Sequence, residues 1–435
     1  MKAKTLRDAC AKAAGTIGDE LCAEAYWHGE RCNWVGRSPD EAVMVGAPLV
    51  PTVAALGPDL YGGTAGIALF LAELHAKTGE VLHRKTALGA IQQALDAVHQ
   101  VQAAVRIGFY SGAIGIAYTA ARLAVLLDEP PLLARGLSTI ADAGTSLSDD
   151  HPLDQIGGNA GAICALLAIA RLPGAGSVLD DAVRLGEELL ACATADDGVY
   201  TWAPERATGA SVGDRPLTGL AHGASGIAVA LLELHARTGD SRFLDAGTGA
   251  FAYEDRWFSA SQENWADLRN LDELGRLRES AEDAPPSYMT AWCYGAPGIG
   301  LARLRAWELL PDRAERLAQS ARAAASGTRR HVIELRPDSA GDATPCHGIS
   351  GSLELLGAAS LALGGPEVSK AMEQGWTMAL AWRRQTGRWI SGLASGGKNP
   401  SLMLGDAGVG HCLLRFVAPE RVPPVLLVRG DAPCG

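Results

Sequence analysis

Three residues of this chain are suited to act on one reactant together: Cys293, Cys346 and His347. Cys346 and His347 are neighbours in "TPCHGISGSLELL", and Cys293 stands in "AWCYGAPGIG". Fifty-three residues separate the two cysteines, a spacing that fits no zinc-finger pattern. What links them is a repeat. Each precedes a G-x-x-G followed by an apolar run, and that pattern occurs seven times, from Gly63, Gly112, Gly158, Gly223, Gly295, Gly348 and Gly405. Two places before the first glycine stand Tyr61, Tyr110, Ile156, Ala221, Cys293, Cys346 and Met403. One place before it stand Gly62, Ser111, Gly157, His222, Tyr294, His347 and Leu404. The two cysteines therefore share one register position in adjacent units, and His347 shares the next one with His222. Two thiolates and an imidazole suit zinc, and three protein ligands leave a fourth place open, which is the catalytic pattern of that metal. His222 reads two ways, as a general acid or base or as a loop histidine capping a helix. Asp154, four places before its unit's glycine, is by itself an ordinary acidic residue at a helix start. Cys164, Cys192 and Cys412 read as small buried hydrophobes, and His411 as helix filler.

The elements that must position these residues follow from the same repeat. The steps between first glycines are 49, 46, 65, 72, 53 and 57 residues. Each glycine pair lets the chain turn tightly, and the run behind it has apolar residues three and four apart, as a largely buried helix requires. Between these runs lie amphipathic stretches such as "HRKTALGAIQQALDAVHQVQ" and "LDDAVRLGEELLACA", which read as a second, outer helix per unit. An open solenoid needs polar caps, and the first and last units carry none. The expected fold is all-α: a closed (α/α) toroid or barrel of seven inner and seven outer helices, with the glycine-headed loops at one rim. Residues 60–435 make this domain. Residues 1–59 form an N-terminal extension packed on the barrel, and an insert at about 252–288 passes over its mouth.

Composition limits the function. The 435 residues are 48% hydrophobic and 20% charged, enough for a well-buried core. The net charge of −11, with Lys and Arg scattered, gives no basic footprint for nucleic acid. There is no signal-peptide h-region and no apolar stretch long enough to span a membrane. Nine cysteines, an odd number spread over a long chain, fit reduced thiols and a cytoplasmic location better than a disulfide framework.

"GLAHGASGI", "AWCYGAPGIGLARL" and "PCHGISG", in this order on a seven-fold glycine-headed repeat, resemble the lanthionine synthetase cyclases, the LanC-like family. The resemblance runs from about Leu60 to the end. "ENWADLR" and "RVPPVLLVRG" look most like the cyclase domain of the two-function LanM lanthipeptide synthetases, without their dehydratase half. The resemblance implies one zinc ion held by Cys293, Cys346 and His347, with His222 and Asp154 as acid/base residues. It implies a dehydrated precursor peptide as partner, and a separate dehydratase or kinase-lyase to prepare it. In the reaction it implies, a cysteine thiolate adds to dehydroalanine or dehydrobutyrine, giving the thioether rings of lanthipeptide (RiPP) biosynthesis. The alternatives are addition of glutathione to dehydroamino acids, and a non-catalytic peptide-binding scaffold. Met289 and Thr290 stand where stand-alone cyclases carry an Arg-Asp pair before the Trp-Cys motif. A toroidal glycosidase would need two facing carboxylates, and the unit heads offer Cys and His instead.

Overall fold

The computed structural model describes residues 3–37, 53–144, 150–209, 214–269, 287–336, 341–391 and 397–431. The second glycine of every unit lies where no side chain fits. A Cβ at Gly66, Gly115, Gly161, Gly226, Gly298, Gly351 or Gly408 would fall 1.6–2.3 Å from the carbonyl oxygen of the residue six places earlier. Only glycine lets the helix start fold this tightly under its own loop.

In chain order the helices are α1 (Ala3–Ala23), α2 (Thr64–Thr78), α3 (Val81–Asp96), α4 (Ala113–Leu126), α5 (Pro130–Gly144), α6 (Asn159–Ile169) and α7 (Val178–Ala191). The short α8 (Pro204–Thr208) follows, then α9 (Ala224–Thr238), α10 (Ser241–Asp255), α11 (Ala296–Leu309), α12 (Ala314–Glu334), α13 (Ile349–Leu363), α14 (Pro366–Thr386) and α15 (Asp406–Val417). The seven helices that follow the glycine heads, α2, α4, α6, α9, α11, α13 and α15, each pack on the next. Helix α15 packs back on α2, so the inner ring is closed. Outside it, α3, α5, α7, α10, α12 and α14 each pack on the inner helix before them. Helix α1 takes the outer place behind α15, which completes seven inner and seven outer helices among the described residues. The ends of the chain thus join in one helix pair. The Arg7 guanidinium donates to the Phe416 and Val417 carbonyls at 2.7 and 3.2 Å and lies 5.0 Å from the Phe416 ring centroid.

Four two-stranded ribbons interrupt the helices: β1 (Tyr26–His28) with β2 (Arg31–Asn33), β3 (Val35–Arg37) with β4 (Val53–Ala55), β5 (Thr194–Asp196) with β6 (Val199–Thr201), and β7 (Phe258–Ser259) with β8 (Asn264–Trp265). Two are variants of one device. Trp34 after β2 donates its indole N–H to the Leu21 carbonyl, and Trp202 after β6 donates to Leu189, each at 2.8 Å and each 13 residues back on the outer helix. The segment "AYWHGERCNW" is therefore a ribbon that caps the outer helix before it. Its Cys32 thiol is buried and donates to the Thr86 carbonyl, while His28 is exposed.

The lumen is filled. Val425, Leu426, Leu427 and Val428 of the C-terminal tail are buried in the central cluster. Deeper along the inner helices, buried ion pairs join neighbours: Arg122 to Glu73 and Arg305 to Glu233, at 2.8 and 2.6 Å. Among the described residues, no helix is long and apolar enough to cross a membrane.

Candidate metal centre

The unit heads are stitched into a ring of their own. Seven backbone hydrogen bonds of 2.8–3.2 Å run from head to head: Tyr61 to Tyr110, Tyr110 to Ile156, Gln155 to Ala221, Ala221 to Cys293, Trp292 to Cys346, Cys346 to Met403 and Met403 to Tyr61, donor first. Each ties one unit's register position, or the residue just before it, to the register position of the next. The register read from the glycines is thus a physical circle, and it brings Cys293, Cys346 and His347 together.

The ligand atoms of these three residues lie within 4.8 Å of one another, with Cys346 Sγ 3.6 Å from His347 Nε2. A tetrahedral zinc with metal–sulfur about 2.3 Å and metal–nitrogen about 2.0–2.1 Å would separate a sulfur and a nitrogen ligand by about 3.5 Å, so the donor set fits such an ion. Both cysteines are buried and His347 is exposed, which leaves an approach from the rim. The hydrogen bond from Cys346 holds the Cys293 thiol well below its ordinary pKa, helped by His347 and by the charge of Arg269. Burial, and then the Cys293 thiolate, push Cys346 up. Burial works against a charged His347, but the Cys293 thiolate outweighs it and keeps the imidazole above its usual value. Tyr61 donates its phenol O–H to Cys346 Sγ at 3.1 Å.

His222 and Asp154 also meet. Asp154 Oδ2 lies 2.6 Å from His222 Nδ1, while its Oδ1 accepts the backbone N–H groups of Ile156 and Gly157 at 3.0 and 2.8 Å. Asp154 is buried and His222 half-buried, so the carboxylate is fixed and the ring's outer edge is free. The His222 ring stacks on Tyr294, centroids 5.7 Å apart, which puts it beside the residue following Cys293.

A sequence profile described as Lanthionine synthetase C-like protein matches residues 54–427. The chain belongs to that family. Among solved structures, this LanC-like protein is similar to one titled "Nisin cyclase", at 20% identity and TM-score 0.64, over 86% of this chain and 92% of that one. It is also similar to a UGL variant titled with dGlcA-Glc-Rha-Glc, at 12% identity and TM-score 0.50, over 98% of this chain and 100% of that one. Both likenesses are to the toroid.

Several residues around the candidate metal centre of this LanC-like protein are not visible in the sequence. Tyr61 and Tyr294 occupy the same register positions as the ligands, so the repeat pointed at them without saying that they touch the site. Arg269 and Asp267 belong to the insert and have no place in the register. Met289 lies against Arg269, its sulfur 3.5 Å from Nη2. The middle of the insert, residues 270–286, lies outside the described residues.

Proposed function

We propose that this chain is a zinc-dependent lanthipeptide cyclase, adding a peptide cysteine thiolate to a dehydroalanine or dehydrobutyrine of the same peptide to form a lanthionine or methyllanthionine thioether. What supports this most is one rim that carries both an S, S, N donor trio and a histidine–carboxylate couple. Zinc held by Cys293, Cys346 and His347 would keep the incoming sulfur as thiolate at neutral pH. The negative charge of the two protein thiolates keeps that sulfur electron-rich. Tyr61 fixes Cys346 through its O–H.

The remaining steps belong to His222 and Asp154. Oδ1 of Asp154 is occupied by two backbone donors, so Oδ2 takes the Nδ1–H of His222 and sets the tautomer. Nε2 then accepts the thiol proton and later delivers it to the α-carbon of the former dehydro residue. One S–H adds across one C=C, so no oxidant or reductant is required.

Mass spectrometry of a synthetic peptide with one cysteine and one dehydroalanine, with and without glutathione, tests the reading. Cyclisation leaves the mass unchanged while abolishing alkylation of the cysteine by iodoacetamide. A product heavier by one glutathione would transfer the same chemistry to a small-molecule thiol. No change in either reaction would refute the enzyme reading.

A further inference from the structure

Sulfur and proton both have partners in the site described so far, but the acceptor does not. When a thiolate adds to the β-carbon, negative charge moves onto the carbonyl oxygen conjugated with the double bond. An amide-flanked alkene is a poor electrophile unless that charge meets a donor or a cation.

The insert supplies such a group. Arg269 follows β8 in "ENWADLR" and is gripped by Asp267. Its Nε and Nη2 donate to Oδ1 and Oδ2 of that carboxylate at 3.0 and 2.6 Å, and its backbone N–H donates to Oδ1 at 3.1 Å. Asp267 is itself anchored, since its N–H donates to the Ser287 carbonyl at 2.8 Å and closes the stem of the insert. The guanidinium carbon lies 3.6 Å from the ring centroid of Tyr294. Guanidinium and the His222 imidazole therefore both lie against the ring of Tyr294, the residue that follows Cys293. Neutralising Asp267 uses Nε and Nη2. Nη1 makes no hydrogen bond to the protein among the described residues. The side chain is 22% exposed where Asp267 is 4%, so the cation and not the carboxylate faces the open rim.

We propose that Arg269 is a catalytic residue: its free Nη1 donates to the carbonyl oxygen of the dehydroamino acid and stabilises the charge that forms there as sulfur adds. The proposal rests on the cyclase reading above. The balance is simple. The C–S bond forms at the β-carbon, and the alkene π pair moves through the α-carbon onto oxygen, where Arg269 holds it without giving up its proton. The pair then returns to the α-carbon as His222 delivers the proton. A planar, permanently charged fork stacked on an aromatic ring suits this better than a lysine would.

The test uses the full chain loaded with zinc, two peptides and two variants. One peptide carries cysteine and dehydroalanine. The other carries cysteine and a vinyl ketone, whose enolate needs less stabilisation. R269M should keep one zinc per chain and an unchanged melting temperature, with kcat on the dehydroalanine peptide down about 10²-fold at unchanged KM. On the vinyl ketone the loss should be at least tenfold smaller, and R269K should fall between the two on dehydroalanine. A kcat within threefold of the unaltered chain, equal losses on both acceptors, or loss of zinc from R269M would each overturn the role of Arg269. If the unaltered chain itself closes neither peptide, the cyclase reading fails instead.

Discussion

The two oxygens of Asp154 take different partners, and that division predicts how substitutions there behave. In Asp154→Asn the amide oxygen can still accept from Ile156 and Gly157, so the loop should hold. The amide nitrogen cannot accept from His222 Nδ1–H, so the imidazole loses its tautomer and orientation. Asp154→Asn and His222→Asn should each retain one zinc per chain and lose about 10²–10⁴-fold in kcat, checked by metal analysis beside steady-state kinetics. Loss of metal from His222→Asn would make that histidine a ligand. At this scale the sequence was legible where the repeat register ran. Cys293, Cys346, His347 and His222 stand at corresponding positions and meet at one rim. Asp154 stood out as a candidate only through the family resemblance, because a carboxylate at a helix start has an ordinary structural explanation. Arg269 was not visible at all. It enters from an insert with no register, and its seat depends on a contact across units.

At the scale of elements, the glycine-headed loops hold the candidate ligands by close packing rather than by hydrogen bonds alone. A Cβ at Gly351 would lie 2.2 Å from the Pro345 carbonyl oxygen and 3.2 Å from Trp292 Cβ, so it would push on both ligand loops at once. Gly351→Ala should cost about 1–3 kcal/mol in chemical denaturation and weaken zinc retention during dialysis against a chelator. The loop that carries Asp154 has a different tether. Glu188 on α7 is bridged by His151 and Arg206 and accepts from Asn159, at 3.2, 2.7 and 3.0 Å. The hydrogen bond from His151, ahead of the smaller contributions of Asn159 and Arg206, pulls its carboxyl down to about 2. A carboxylate depressed in the folded state stabilises the protein fully above its ordinary value, and the contribution is lost as pH falls toward about 2. Glu188→Gln should therefore lower the denaturation midpoint at pH 7, and the deficit should shrink progressively between about pH 4.5 and pH 2. The helices and glycine turns were readable from periodicity. The ribbons were not, because strands of two or three residues leave no periodic trace.

At the scale of the whole molecule, seven units close because the last inner helix finds both α2 and the N-terminal helix. Closure was legible from the repeat count and the lack of polar caps. The seats of the two ends were not, since each lies against residues more than a hundred positions away: α1 against α15, and the tail carbonyls of Val425 and Leu426 under Tyr110 and Trp292, at 2.7 and 2.8 Å. Inside the ring, the Arg305–Glu233 pair is 3% and 2% exposed; Arg305 also reaches Glu308 and Asp431, each at 2.9 Å, whereas Glu233 without Arg305 would be an uncompensated buried charge. Arg305→Met should cost about 3–5 kcal/mol in denaturant unfolding, and adding Glu233→Leu should recover most of it. The claim on which the account turns is that this ring gathers two sulfurs and one imidazole around an ion with a place left for substrate. Metal analysis of the purified full chain beside its Cys346→Ala variant tests it most directly. The account predicts one zinc per unaltered chain and none in the variant. An unaltered chain that takes up no zinc from a zinc-containing buffer, or a variant that still holds one, would contradict it.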